Sequence, residues 1–304
     1  MSVASYVKLF RSGELERRRD LALEMMVDCR LCPRKCGVDR LKDEKGFCRI
    51  GRYAVVSSCG PHFGEEGPLV GRNGSGTIFF SGCNLGCRFC QNWDISQKVT
   101  GEVADAERLA SLMMRVQGFG CHNLNLVSPT HVVPQVLEAL EIACMRGFEL
   151  PIVYNTGGYD PLEVLRVLEG IVDIYMPDMK YSDPSVGRRL SRVEKYPEVN
   201  FAAIREMHRQ VGDLIMDERG VAEKGLLVRH LVLPNDLAGT EKIARFLSDE
   251  VSKDTYINVM GQYRPEYKAM ECEGMGRRPS RDEYLRAVKL VLDSGLHRLD
   301  RVVL

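Results

Sequence analysis

Gly74-Ser75-Gly76-Thr77-Ile78-Phe79-Phe80-Ser81-Gly82-Cys83-Asn84-Leu85-Gly86-Cys87-Arg88-Phe89-Cys90-Gln91-Asn92 reads as a short apolar strand, Thr77–Phe80, that runs through a glycine turn into three cysteines. A structural zinc site takes four protein ligands and a cubane iron–sulfur cluster normally takes four cysteines. Three closely spaced thiols after a strand therefore describe a four-iron cluster with one iron left open. Gly82 and Gly86 let the loop wrap tightly, and Phe89, just before the last cysteine, supplies a flat apolar wall beside the open iron.

Upstream lies a second cluster, Cys29-Arg30-Leu31-Cys32-Pro33-Arg34-Lys35-Cys36, followed by Cys48. Four cysteines with Pro33 and Gly46 at the bends form two knuckle-like turns able to close a tetrahedral site. The spacing leaves zinc and an auxiliary iron–sulfur cluster both open, with Cys59 as a spare ligand. Residues 3 to 27 read as a helix with Leu15, Leu21, Leu23, Met26 and Val27 toward its apolar side, and Arg17-Arg18-Arg19 on a solvated face.

Downstream the signals alternate strand and helix, as parallel βα units require. Strands are expected at Asn123–Val127, Pro151–Tyr154, Val172–Met176, Leu226–Leu233 and Thr255–Met260. Helices are expected at Ala104–Gln117, Pro134–Arg146, Pro161–Leu168, 183–213 with a break at Pro197, Thr240–Val251 and Ser280–Ser294. With Thr77–Phe80 this makes six βα units. Residues after the C-terminal ends of parallel strands carry the chemistry of such folds. Those ends run into Ser128-Pro129-Thr130-His131, Asn155-Thr156, Met176-Pro177-Asp178-Met179-Lys180, Arg229-His230 and Met260-Gly261-Gln262.

Lys plus Arg and Asp plus Glu each number 42, so no global field selects nucleic acid or an anionic membrane. Neither a signal peptide nor an apolar run of membrane-spanning length is expected. Eleven cysteines without a secretion signal point to a reducing, cytoplasmic setting.

The cysteine motif with its aromatic resembles that of the radical S-adenosylmethionine (SAM) superfamily. Five segments taken together resemble the PflX-type relatives of pyruvate formate-lyase activating enzyme, from about Cys29 to Arg278. They are the Cys29–Gly37 and Phe79–Asn92 motifs, Asn155-Thr156-x-Gly158-Tyr159, Asp173-Ile174-Tyr175-x-x-Asp178-x-Lys180, and Arg229-His230-Leu231-Val232-x-Pro234.

That resemblance implies an α/β fold, a partial (β/α)6 TIM-like barrel at 73–304, after an N-terminal helix and Cys-rich metal-binding segment at 1–72. It implies a [4Fe-4S] cluster on Cys83, Cys87 and Cys90, with SAM chelated to the open iron. SAM would be cleaved to methionine and a 5′-deoxyadenosyl radical that abstracts hydrogen. Electrons would come from a donor such as ferredoxin or flavodoxin. The substrate would be a peptide, a protein or a small molecule, including the glycine of a glycyl-radical enzyme. The activating enzymes hold a cation and SAM with residues matching Asn155, Thr156, Met176, Asp178 and Lys180, of which Asp178 and Lys180 are the catalytic candidates. Asn155 stands where they carry an acid. No Gly-Gly-Glu segment follows the second strand, where Ser128, Thr130 and His131 stand instead; these, Phe89, His230 and Gln262 complete the expected SAM-binding set. The competing reading is a non-catalytic iron–sulfur or zinc protein for electron transfer or nucleic-acid binding, which the open-ligand triad and the zero net charge disfavour.

Overall fold

The computed structural model describes residues 4–301. The first residue of the expected N-terminal helix, and the ends of the 1–72 and 73–304 spans, lie outside the described residues.

Nine strands form one sheet: β1 (Ala54–His62), β2 (Ser75–Phe80), β3 (Glu102–Ala104), β4 (Leu124–Val127), β5 (Ile152–Thr156), β6 (Ile174–Pro177), β7 (Ile215–Met216), β8 (Ala222–Leu231) and β9 (Tyr256–Met260). Of these, β2, β4, β5, β6, β8 and β9 are neighbours in that order and all parallel. They are the six expected strands, shifted by a few residues at their ends, and they form the partial (β/α)6 barrel. Their apolar, β-branched runs are buried on both faces, as parallel strands covered by helices must be.

The long helices on the outer face are α5 (Ala106–Gly118), α6 (Val133–Met145), α9 (Tyr196–Val211), α10 (Thr240–Glu250) and α11 (Arg281–Asp293). They pack Leu109, Met113, Leu137, Leu140, Ile204, Met207, Ile243 and Val291 against Ile78, Leu124, Leu126 and Ile152 of the sheet. The start of α11 is fixed by reciprocal hydrogen bonds between Ser280 and Glu283. Inside the barrel, Leu69, Val153, Ile174, Met176, Leu214, Ala222, Leu227 and Tyr256 form an apolar plug. The space above that plug is left for ligands.

Three differences from expectation have local causes. The N-terminal helix is two, α1 (Tyr6–Arg11) and α2 (Glu14–Glu24), because Gly13 takes φ +78° between them. Residues 183–213 also split into two, α8 (Pro184–Ser191) and α9. The break falls at Arg192–Lys195, both left-handed, and Pro197 opens the second helix. The third is β1. Its residues from Val56 to His62 pair antiparallel with β2, and Ala54–Val56 pair with β3. A strand from the segment expected to stand apart thus joins the barrel's own sheet and covers the edge of its first parallel strand.

At the far edge, β9 is bordered by a short parallel bridge from Leu299 to Ile257. The gap from β9 back toward β2 is spanned by Asn258 Nδ2, which donates to Glu66 Oε1 at 2.9 Å. No helix among the described residues is long and apolar enough to cross a membrane.

Candidate active site

A cavity of about 900 Å³ fills the barrel above the plug, with Cys83, Cys87 and Cys90 lining its head. The loop that carries them turns at Gly82 (φ +78°) and Gly86 (φ +72°), and there is no room for side chains at either. A Cβ on Gly82 would lie 2.5 Å from the Cys48 carbonyl oxygen, and one on Gly86 would lie 2.9 Å from the Phe47 ring.

Donors already face the sulfurs. The Leu85 N–H points at Cys83 Sγ (3.4 Å), and the Ser191 and Ser96 hydroxyls lie 2.9 and 3.3 Å from Cys87 Sγ and Cys90 Sγ. Burial pushes the Cys87 thiol up to about 12 against the pull of Lys180, and burial raises Cys90 too. Buried thiols of this kind ionise when a metal supplies the compensating charge. The donor set, its polar contacts and the tight loop fit a cluster held by three thiolates.

Below the cysteines, inward-facing strand residues form a polar belt. Arg229, on β8, donates from Nε to Asp178 Oδ1 at 2.9 Å and from Nη2 to Asn155 Oδ1 at 2.7 Å. Lys180 Nζ donates to the other oxygen, Asp178 Oδ2, at 2.5 Å. Burial would raise the Asp178 carboxyl, but Arg229 and Lys180 overcome it and hold the group below its usual range. Asn155, where the resembling enzymes have an acid, here accepts from a guanidinium. The belt thus carries its own cation, built into the fifth parallel strand.

Behind the wall, Asp160 is 1% exposed and accepts from the Thr130 and Thr156 hydroxyls, both at 2.7 Å, and from the Tyr154 hydroxyl at 3.0 Å. It fixes the two threonines at the cavity surface. Gly158 N–H donates to Thr156 Oγ1 at 3.2 Å, closing the turn that follows β5.

Of the expected residues, Cys83, Cys87, Cys90, Ser128, Thr130, Asn155, Thr156, Asp178, Lys180 and Gln262 line this one cavity. Four of the expected SAM-binding residues do not, and packing says why. Phe89 sits edge-on to Tyr263 and Tyr181, with centroids 5.8 and 6.4 Å away, inside an aromatic cluster beneath the loop. Met176 faces inward but belongs to the apolar plug. His131 is held between Ser81 O, 2.9 Å from its Nε2, and Arg40, which donates to the His131 carbonyl at 2.7 Å. Burial, aided by Arg40, pushes its imidazole down to about 4, so the ring is neutral and braces the strand before the cysteine loop. His230 turns to the outer face, bonded to Met179 O (2.8 Å) and Thr240 Oγ1 (2.9 Å).

The N-terminal cysteines lie outside the cavity. Cys29, Cys32 and Cys48 are buried and Cys36 is half-buried, and burial pushes Cys32 up to about 12. Cys59, the expected spare ligand, sits on β1 with Sγ 3.8 Å from Leu112 O of α5. Among the described residues, no group of three or more His, Cys, Asp and Glu side chains is arranged to hold a single metal ion.

Sequence reasoning placed Arg229 at a strand end without giving it a role, and it missed Glu66 as a site residue. Glu66 is 5% exposed, lines the cavity, accepts from Asn258 through Oε1, and its Oε2 has no hydrogen-bond partner among the described residues. Burial raises its carboxyl against the opposing charge of Arg229. The native state therefore holds a proton that the unfolded chain has released, and stability falls as pH rises from the unfolded value through the folded one. Glu66→Gln should be more stable than the parent near neutral pH by about 1–3 kcal/mol, with the gap closing in acid. Urea unfolding at two pH values reads it; an equal gap at both would refute the uncompensated carboxylate.

Comparison with known proteins places the chain. The family model described as the radical SAM superfamily matches residues 77–218, from β2 through β7. The Methanocaldococcus jannaschii protein named "Uncharacterized protein MJ0674" is 36% identical over 286 residues, 91% of this chain and 78% of its own. A second protein of that organism, "Uncharacterized protein MJ0808", is 24% identical over 265 residues, covering 80% of this chain and 72% of its own. Among solved structures, methylornithine synthase overlays 97% of this chain and 74% of its own, with TM-score 0.47 and 15% identity. The radical SAM methyltransferase TsrM of Kitasatospora setae covers 73% of this chain and 53% of its own, with TM-score 0.44 and 11% identity. The motif first read from residues 83–90 thus lies inside the matched region: residues 77–218 carry a radical SAM domain, which implies a [4Fe-4S] cluster and SAM.

Proposed function

We propose that this protein is a PflX-type radical SAM enzyme that removes a hydrogen atom from a peptide, protein or small-molecule substrate. The observation that supports it is the convergence of Cys83, Cys87 and Cys90 with Ser128, Thr130, Asn155, Thr156, Asp178 and Lys180 on one cavity. When bound, the cluster and SAM supply a one-electron cleavage that yields methionine and a hydrogen-abstracting 5′-deoxyadenosyl group.

The chain's own residues do the rest. The three thiols hold the cluster and leave one iron for SAM. Asp178, fixed from both sides by Lys180 and Arg229, presents a preorganised ion cluster to the polar end of SAM. The Arg229 guanidinium stands in for the bound cation of the activating enzymes. Thr130 and Thr156, anchored by Asp160, offer hydroxyl oxygens on the adjoining wall. The apolar plug and the strap at Glu66–Asn258 keep bulk water from the floor. About 900 Å³ exceeds what a ligand of SAM's size needs, which leaves space for a substrate beside it.

In the same reading, Cys29, Cys32, Cys36 and Cys48, which are not arranged around a single ion on their own, close on a second metal when it is supplied, zinc or an auxiliary iron–sulfur cluster. A low-potential carrier such as ferredoxin or flavodoxin delivers the electron, and a glycyl-radical partner is one candidate substrate. The test is made on anaerobically reconstituted protein, by iron, sulfide and zinc content and by spectra of the reduced state before and after SAM. About four irons with zinc, or about eight without it, distinguish the two N-terminal alternatives. Reduced protein whose spectrum ignores SAM and that forms no 5′-deoxyadenosine would overturn the enzymatic reading.

A further inference from the structure

We propose that the N-terminal cysteine segment is a clamp on the catalytic cysteine loop, with Arg34 as the residue that carries its grip and its charge across. The clamp stands on contacts between the two segments; its dependence on loading also rests on the proposed N-terminal metal site.

Arg34 lies between Cys32 and Cys36 but spends its guanidinium elsewhere. Its Nε donates to Asn84 O, and Nη2 donates to Leu85 O at 2.8 Å, Arg192 O at 3.1 Å and Ser191 O at 3.4 Å. Asn84 and Leu85 are two of the three residues between Cys83 and Cys87, and the Ser191 hydroxyl is the one 2.9 Å from Cys87 Sγ. A tight glycine loop points carbonyls that need donors, and one planar fork meets several of them at once.

The rest of the segment closes the grip. The Arg34 guanidinium carbon stands 3.4 Å from the centroid of the Phe47 ring, and the other side of that loop gives the ring no clearance at Gly86. Phe47 N–H in turn points at Cys36 Sγ, 3.4 Å away. The Cys48 carbonyl abuts Gly82, and Arg49, next in the chain, donates to Gln97 O beside Ser96, the partner of Cys90. Both ends of the catalytic loop therefore rest on residues adjacent to N-terminal thiols. The Arg34 charge is also felt by Cys32, Cys36 and Cys83 together.

Two consequences follow. Emptying the N-terminal thiols loosens Phe47 and Cys48, and with them the loop that must hold three irons in place. Removing the Arg34 charge from beside Cys83 disfavours the reduced, more negative cluster and moves its potential to more negative values.

The test uses the reconstituted full chain with Arg34→Ala, Arg34→Lys and Cys36→Ser. The readouts are metal content, the rate at which a chelator strips iron, and the midpoint potential followed by the reduced-state spectrum. Arg34→Ala should keep its N-terminal metal, lose catalytic iron ~10-fold faster than the parent, and show a lowered potential. Arg34→Lys should recover the potential, since the charge returns, but not the full retention, since the fork does not. Cys36→Ser should lose the N-terminal metal and release loop iron as fast as Arg34→Ala. Parent-like iron release and potential in Arg34→Ala would overturn the clamp. A parent protein with one cluster and no other metal would remove the N-terminal metal reading, and the Arg34 variants would still decide the clamp.

Discussion

Cys87→Ala is expected to fold and to form no 5′-deoxyadenosine from SAM under reducing conditions. Cys87 is buried at the head of the cavity with the Ser191 hydroxyl 2.9 Å from its sulfur, so alanine removes a ligand while trimming a single atom from the packing. Two thiols cannot hold a site-differentiated cluster, so the variant should carry far less iron than the parent and show no SAM-dependent spectral change. Cys144→Ala is the matched control. Cys144 lies on α6, outside both cysteine sets and outside the cavity, and its loss should leave SAM cleavage at the parental rate. Turnover persisting in Cys87→Ala would overturn the assignment of the triad. Loss in both variants would show that the effect was general damage.

The second large effect is expected at Asp178. Its side chain is 14% exposed and carries both an arginine and a lysine contact. Asp178→Asn keeps the shape but leaves two buried cations with no anion between them, at a cost of about 3–5 kcal/mol in folding free energy. The pH dependence has a definite sign. A carboxyl held below its usual range stabilises the fold above the unfolded carboxylate value, and that contribution is lost as pH falls through the lower folded value. The parent should therefore lose stability in acid over a range that the variant does not show. Adding Arg229→Gln to Asp178→Asn should recover part of the loss, because the surplus charge goes with it. Urea midpoints for the parent, both single variants and the double variant decide the matter. Additive effects would mean that Arg229 and Asp178 are not coupled.

The parallel core was legible because its strands are continuous apolar runs punctuated by Gly and Pro, and the βα alternation left one architecture. Strand β1 was not. Val55-Val56-Ser57-Ser58-Cys59-Gly60-Pro61 has neither clean alternation nor a continuous apolar run, and it forms only because β2 offers an edge. The helix break at Gly13 carried a visible signal in the glycine itself.

At the site, identities were legible and directions were not. Cysteine spacing and strand ends named ten of the cavity's residues. Nothing in a linear string shows that His131 turns to Ser81 O, or that His230 turns to the outer helices. Both histidines point away from the cavity because buried carbonyls and a hydroxyl on that side need partners. Arg229, named at a strand end but given no role, and Glu66, not named at all, escaped for a different reason. Their meaning lies in partners 51, 74 and 192 residues away, Asp178, Asn155 and Asn258, and a charge reads as solvated until its neighbour is known.

The way the N-terminus is tied down also sets a timetable. The Tyr6 hydroxyl donates to Leu150 O, 144 residues further on, and the Ser5 N–H donates to Asp173, 168 residues on. Arg40 waits for His131 and Arg52 for Glu138. At typical synthesis speeds of about 5–20 residues per second, the ribosome needs roughly four to thirty-five seconds to deliver those partners. Through that interval Cys29, Cys32, Cys36 and Cys48 are chain without a fold to bury them, open to any metal or oxidant nearby.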